Sequence, residues 1–125
     1  MKIPTNKKGK VWSVGYADKK IADHIKKRDN YTCVLCGKRA PEYIIDPSHY
    51  WGRYVMSTRF LPENLDAICR GCHFKIENAK QGMYREFKIK QLGKKKYEEL
   101  QKTYYQSKLT KREAIINLMN FLKNV

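Results

Sequence analysis

Cys33-Val34-Leu35-Cys36-Gly37 and Cys69-Arg70-Gly71-Cys72-His73 bracket the stretch that decides how this chain folds. Each Cys-x-x-Cys pair sets two thiolates where both can reach one tetrahedral ion. Two such pairs complete a four-sulfur shell around zinc and leave no open position. Cys33, Cys36, Cys69 and Cys72 therefore read as a structural zinc site. Between Cys36 and Cys69 lie 32 residues, more than the roughly 15–20 of a simple ribbon. A segment of defined structure must be inserted there while its ends stay pinned. Gly37, directly after the second cysteine, suits the positive φ of a knuckle turn. Neither pair is expected to open a helix after a strand in the thioredoxin manner, which would argue against a redox pair.

With 125 residues the chain has room for one domain and a modest core. Lys2, Lys7, Lys8 and Lys10 are followed by no apolar run, so no signal peptide is expected. No window approaches the roughly 20 apolar residues that span a bilayer. A cytoplasmic protein without a membrane partner is expected, and in a reducing compartment paired cysteines hold metal more often than disulfides. The net charge of +15 points to nucleic acid before an anionic membrane. Residues 1–30 carry nine Lys/Arg against three acids, residues 81–125 eleven against four, and residues 31–80 seven against five. Basic flanks thus surround a nearly neutral centre, as expected if the flanks hold phosphates and the middle a metal. The plainer alternative is a lysine-rich surface that serves solubility alone.

Residues 1–17, with Pro4, Gly9 and Gly15 among lysines, read as a basic irregular arm. Residues 18–80 read as the zinc-bound core, and 81–125 as a basic helical extension packed on it. Asp18 is expected to cap a helix over 19–29 on which Ala22, Ile25 and Ile21 form a short apolar face. His24, among lysines on that segment, reads as a surface residue rather than a ligand. Tyr43-Ile44-Ile45 and His49-Tyr50-Trp51 read as two β-rich runs separated by a bend at Pro47. Gly52 to Phe60 reads as polar and irregular, and Pro62-Glu63-Asn64 as a helical turn or tight loop leading into Leu65 to Ile68. A helix is expected from Arg70 to about Lys80, broken at Gly82, with two or three helices beyond. Tyr97, Leu100 and Tyr104 share one face, and Thr110-Lys111-Arg112-Glu113 is a capping box. Ile115, Leu118, Met119 and Leu122 form a regular stripe for the core. The expected fold class is α+β, mostly α.

Asp46-Pro47-Ser48-His49-Tyr50-Trp51-Gly52-Arg53, then Pro62-Glu63-Asn64-Leu65, then Cys69-Arg70-Gly71-Cys72-His73 resemble the HNH endonucleases. The resemblance covers about residues 28–80. More narrowly, the His49-Tyr50-x-x-Arg53 pattern, the chain size and Gly82-Met83-Tyr84-Arg85-Glu86-Phe87 in a basic helical tail are similar to the NinG/Rap recombination nucleases of lambda-like phages. The resemblance implies a ββα-metal unit, two strands and a helix around one divalent ion. Carried over by position, it implies His49 as general base, Asn64 as the residue holding the loop that carries it, and His73 as a ligand of the catalytic ion. It implies hydrolysis of DNA phosphodiesters, with double-stranded or branched recombination intermediates as substrates.

The chemistry asks for these residue types on its own account. Charge gathers on the phosphoryl oxygens in the transition state, so a divalent metal is wanted there. A neutral imidazole accepts a proton from water near pH 7, and an amide fixes a loop without titrating. Mg²⁺ or Mn²⁺ is the expected ion, and imidazole plus carboxylate also suits Ni²⁺ or Co²⁺. Many HNH proteins carry Asp or His immediately before the base. Ser48, a poor ligand, stands there in this chain, so Asp46 is the nearest carboxylate. Strand alternation would separate Asp46 from His49, with Pro47 expected to break that geometry. Glu77, one helical turn after His73, is a further candidate ligand; its plainer role is a solvated partner of Lys80.

Arg53, Arg59, Arg70 and Lys75 are candidate nucleic-acid contacts, Arg53 as a bidentate phosphate clamp. Arg59 and Arg70 could instead form surface pairs with Glu63 and Asp66. Tyr50, Trp51, Tyr54, Tyr104 and Tyr105 lie near basic residues and suit stacking on unpaired bases or, more simply, burial in the core. No base-reading helix stands out. The competing functions are a non-catalytic zinc module that only binds nucleic acid, and an adaptor that binds protein through the helical tail. One active site per chain implies a nick. Cutting both strands needs two chains, and the apolar C-terminal helix either supplies a homodimer interface or folds back on its own core.

Overall fold

The computed structural model describes residues 12–78 and 82–125; the lysines before Trp12 and the expected helix end at Lys80 lie outside them. Ser13 has extended backbone, and its hydroxyl accepts from the Tyr16 N–H at 3.0 Å, which starts helix α1, Val14–Arg28. The helix therefore begins about one turn before the expected cap, Asp18, whose carboxylate is turned to Arg59 instead. Ala17, Ile21 and Ile25 recur at helical spacing and are fully buried. His24 packs edge-on against Phe121, with ring centroids 5.0 Å apart.

Strand β1, Ile45–His49, pairs antiparallel with strand β2, Leu65–Cys69; Ile45 stands opposite Cys69 and His49 opposite Leu65. The expected bend at Pro47 is absent, and one strand runs through it. The reason lies in its partner, Ala67. The Ala67 N–H donates to Asp29 Oδ2 at 3.0 Å, and its carbonyl accepts from the Val34 N–H at 3.0 Å. Both groups point away from β1, so Pro47 occupies a non-hydrogen-bonded position where a missing N–H costs the ladder nothing. Tyr43 and Ile44 stay exposed before the strand, and Tyr50 and Trp51 leave it into the following loop.

That loop is not wholly irregular. It contains a short helix α2, Met56–Arg59, with Ser57 and Thr58 buried, and a 3₁₀ turn at Pro62–Asn64. Helix α3, Arg70–Asn78, starts on the residue after β2, so the two strands and this helix form a ββα unit, and the Cys69/Cys72 pair does open a helix after a strand, contrary to the expectation. Helices α4, Gly82–Leu92, α5, Lys94–Gln106, and α6, Lys111–Lys123, follow. Both reciprocal bonds of the Thr110/Glu113 capping box are present. Helix α6 packs on α1 and α2, and α5 on α2 and α4. One core joins Ile21, Ile25, Leu65, Ile68, Tyr84, Ile115 and Leu118. The fold is α+β and mostly helical. Among the described residues no helix is long and apolar enough to cross a membrane.

Beneath the sheet lies a charge pair that sequence patterning does not reveal. Asp66 and Lys88 are both fully buried and 2.7 Å apart. Asp66 also accepts from the Tyr84 hydroxyl and Gln91 Nε2, each at 2.8 Å, and Lys88 donates to the Glu63 carbonyl and Gln91 Oε1, each at 2.8 Å. Burial pushes the Lys88 pKa down despite Asp66. Removing one member strands the other charge, so Lys88→Met is expected to lower the urea-unfolding free energy by roughly 3 kcal/mol. The double variant Asp66→Asn/Lys88→Met is expected to recover part of that loss in the same denaturation experiment.

Candidate active site

The turn after α1 carries Cys33 and Cys36. It is closed by the Cys33 N–H to the Lys38 carbonyl at 2.8 Å and the Gly37 N–H to the Cys33 carbonyl at 2.9 Å, with Gly37 at φ +82°. Cys69 ends β2 and Cys72 lies in the first turn of α3. The four sulfurs lie within 4.8 Å of one another, and Cys36 and Cys69 are 3.6 Å apart. Thiolates 2.3 Å from a tetrahedral zinc stand about 3.8 Å apart, so the set could hold a metal such as zinc. Burial pushes the Cys33 thiol up, but the N–H groups of Cys69, Cys36 and Leu35 outweigh it and bring it down to about 7. Burial and the neighbouring Cys36 and Cys69 push Cys72 up to about 12. Thiols this crowded do not all ionise unaided; a cation turns their repulsion into ligation.

Asp46 and His49 of β1, Arg53 of the loop, and His73 and Glu77 of α3 line one cleft of about 480 Å³. A larger cavity of about 840 Å³, between α5 and Pro62-Glu63, is lined by none of the candidate residues; they gather at the smaller one. Asp46 and His49 reach the same cleft although strict alternation would part them. Burial along β1 is not alternating either, with Ile45 and Ser48 buried and the rest half-buried. Ser48 thus points into the core.

His49 Nε2 lies 3.0 Å from the Arg59 carbonyl. A carbonyl can only accept, which assigns the proton to Nε2 and leaves Nδ1 with its lone pair. Burial lowers the His49 pKa and outweighs the opposing effects of that carbonyl and of Asp18. Burial thus favours the neutral ring. Arg59 does not pair with Glu63 or Asp66. Its Nε and Nη2 donate to Asp18 at 2.9 and 2.5 Å, and its Nη1 donates to the Arg53 carbonyl at 2.9 Å. Asp18 and Arg59 are 41 residues apart, so only the fold brings this support together.

Asn64 is fully buried. Its Oδ1 accepts from the Trp51 N–H at 2.9 Å, and its Nδ2 donates to the carbonyls of Trp51 and Thr58, each at 3.0 Å. One amide thus ties the start of the 51–58 loop to its end. Tyr50 and Trp51 are packed rather than free: Tyr50 donates to or accepts from the Tyr97 hydroxyl at 2.6 Å, and Trp51 stacks on Tyr104 at 4.3 Å. Tyr54 and Tyr105 are exposed.

His73 stands between two carboxylates. Its Nδ1 is 3.3 Å from Asp46 Oδ2 and its Nε2 is 3.2 Å from Glu77 Oε1. The two acids take opposite ring nitrogens, so one ion cannot share a His73 nitrogen with both. Two ligands about 2.1 Å from an octahedral ion lie about 3 Å apart, close to the His73–Asp46 separation. The pair fits a hard divalent ion with two protein ligands and water on the remaining positions. Among the described residues, only the four cysteines bring three or more such ligand atoms together. Asp46 also accepts from Arg70 Nη2 at 3.0 Å and Nε at 3.3 Å, so Arg70, too, pairs with neither Glu63 nor Asp66. Partial burial pushes Asp46 up, but the bonds from Arg70 and His73 outweigh it and hold the carboxylate below its usual range. Arg53 and Lys75 are exposed.

No protein-family model, curated protein or solved structure matches the chain. The assignment of chemistry therefore rests on the side chains themselves. Asn64→Ala leaves the Trp51 N–H and two carbonyls without partners and is expected to cost about 2–4 kcal/mol. Urea unfolding measures the loss, and limited proteolysis should show earlier cutting within residues 51–58.

Proposed function

We propose that the protein is a metal-dependent endonuclease of the HNH type that hydrolyses DNA phosphodiesters. The observation that carries this reading is the meeting, in one cleft, of a half-buried histidine whose Nε2 faces a carbonyl with an imidazole–carboxylate pair of metal-ligand spacing. Holding DNA by its phosphates needs neither. His49 Nδ1 takes a proton from the attacking water. Asp46 and His73 would hold Mg²⁺ or Mn²⁺, and a bound divalent ion supplies Lewis-acid stabilisation of the phosphoryl and leaving oxygens. Arg53, on the cleft wall, clamps a phosphate oxygen. Asn64 keeps the loop in register, and with it both Arg53 and the Arg59 carbonyl that orients the base. Glu77 acts on the far nitrogen of His73 and orients the ring rather than sharing its ion.

Cys33, Cys36, Cys69 and Cys72 hold zinc as scaffolding, because four thiolates leave no position for substrate. The net charge of +15 draws the polyanion in. The ordered His49, Asn64 and Cys69-x-x-Cys72-His73 elements support the family reading. Branched or recombination intermediates of a phage are the substrates that the narrower NinG/Rap-like pattern favours.

Nicking of supercoiled plasmid with Mg²⁺ or Mn²⁺ tests the activity. His49→Ala is expected to lose at least about 100-fold in rate while binding DNA as before. Retention of salt-sensitive DNA binding with no nicking by wild type in any divalent ion would leave only a binding module. Because the base must be unprotonated and burial lowers its pKa, activity is expected to be full at neutral pH. It should fall on acidification with a midpoint below the ordinary imidazole value of 6.5, a limb that pH–rate profiles of kcat/KM would locate. Metal analysis of the purified chain is expected to find one zinc that survives brief EDTA treatment. Cys69→Ser is expected to lose both that zinc and the folded far-UV signal, because binding free energy at such sites is folding free energy.

A further inference from the structure

We propose that Arg70 is an internal competitor for the divalent ion: its guanidinium holds the Asp46 carboxylate until a cation displaces it, and it then turns to a substrate phosphate. The proposal rests on the metal-site reading above. Three observations carry it. Arg70 Nε reaches Asp46 Oδ2 at 3.3 Å, and that same oxygen lies 3.3 Å from His73 Nδ1. Oδ2 and Nδ1 form the edge that an octahedral ion would use, so guanidinium and ion contend for one oxygen.

Backbone and side chain of Arg70 also differ in freedom. The residue follows Cys69 directly, and its N–H donates to the Ile44 carbonyl at 2.9 Å, so its backbone is anchored. Its side chain remains 66% exposed. A long side chain on a fixed root can swing between two partners at little cost in structure.

Finally, charge decides where it goes. The guanidinium cannot shed its proton, and a dication beside Asp46 repels it. Of the acids near it, Asp46 would be taken by the ion, and Glu77 is engaged with His73 Nε2. The phosphates of bound DNA are the anions that remain. In the absence of metal, Arg70 keeps Asp46 from facing those phosphates as a bare negative charge. Metal and DNA binding are consequently coupled, and the coupling is reciprocal.

Calorimetric titration of Mn²⁺ into the zinc-loaded full chain tests the proposal without any reading of activity. Arg70→Ala is expected to bind Mn²⁺ about three- to tenfold tighter than wild type, the scale of an exposed charge-assisted pair. Arg70→Lys, which keeps the charge but not the fork, should lie between the two. Repeating the titration with a short duplex present should show DNA tightening Mn²⁺ binding more in wild type than in Arg70→Ala. Equal or weaker Mn²⁺ binding by Arg70→Ala would overturn the competition. Asp46→Ala separates the two ideas: if it binds Mn²⁺ as wild type does, the ion is not at Asp46 and the underlying site reading fails instead. Zinc content and the far-UV spectrum confirm that each variant is folded, which the exposure of residue 70 favours.

Discussion

The convergence of four sulfurs within 4.8 Å fixes more of this molecule than any other contact. Cys33 and Cys36 belong to the turn after α1, Cys69 to the last position of β2, and Cys72 to the first turn of α3. A cation held by the sulfurs would therefore set how α1, the sheet and α3 meet. It would also set the site, since His73 is the next residue after Cys72 and Asp46 faces Ile68, one residue before Cys69. A two-stranded sheet alone is marginal in water. Here it is closed at one end by the cysteines and at the other by Asn64, whose carbonyl accepts from the Tyr50 N–H at 2.8 Å.

The second constraint is electrostatic and separates two acids on adjacent strands. Asp66, opposite Ser48 in the ladder, turns into the core and takes its positive partners from helices: Lys88 of α4 at 2.7 Å and Arg28 of α1 at 3.8 Å. Asp46 turns to the cleft and meets Arg70 and His73 of α3. Burying a carboxylate and an ammonium together rarely adds net stability, but leaving either alone is costly. The pair thus fixes where α4 can sit. It anchors the basic C-terminal helices under the sheet without spending any charge that the cleft uses.

Much of this was legible in the sequence because it is local. The Cys-x-x-Cys spacing, the Thr110/Glu113 capping box and the Ile115–Leu118 stripe each lie within one or two turns, where spacing dictates geometry. What was not legible depends on partners far along the chain. Pro47 looked like a strand breaker, yet its tolerance follows from the register with Ala67 and from Asp29 and Val34 drawing that residue's polar groups the other way. Asp18 has the residue type and position of a helix cap, and loses that role to Ser13 because Arg59 claims its carboxylate. Lys88 looks like any other lysine of the tail; no period marks it as buried, since only Asp66 makes its burial tolerable. Arg59 and Arg70 read equally well as phosphate contacts or as ion-pair partners, and their actual partners, Asp18 and Asp46, lie 41 and 24 residues away.

The serine before His49 then takes on meaning. With Ser48 turned into the core, His73 meets a carboxylate at ligand spacing on each ring nitrogen, Asp46 at Nδ1 and Glu77 at Nε2, so a single ion at Nδ1 would take Asp46 and not Glu77. On the proposed reading the cleft ion has two protein ligands, leaving about four octahedral positions to water and phosphate. Such an ion is held weakly without substrate and strongly with it, because the phosphate completes its shell. A zinc held by the four thiolates would be the opposite case, with a closed shell that leaves no position for phosphate. On that reading one chain would keep one metal permanently and exchange the other with every turnover. A side chain as ordinary as Arg70 can compete at the second centre, where it faces a single carboxylate, and has no means to compete at the first.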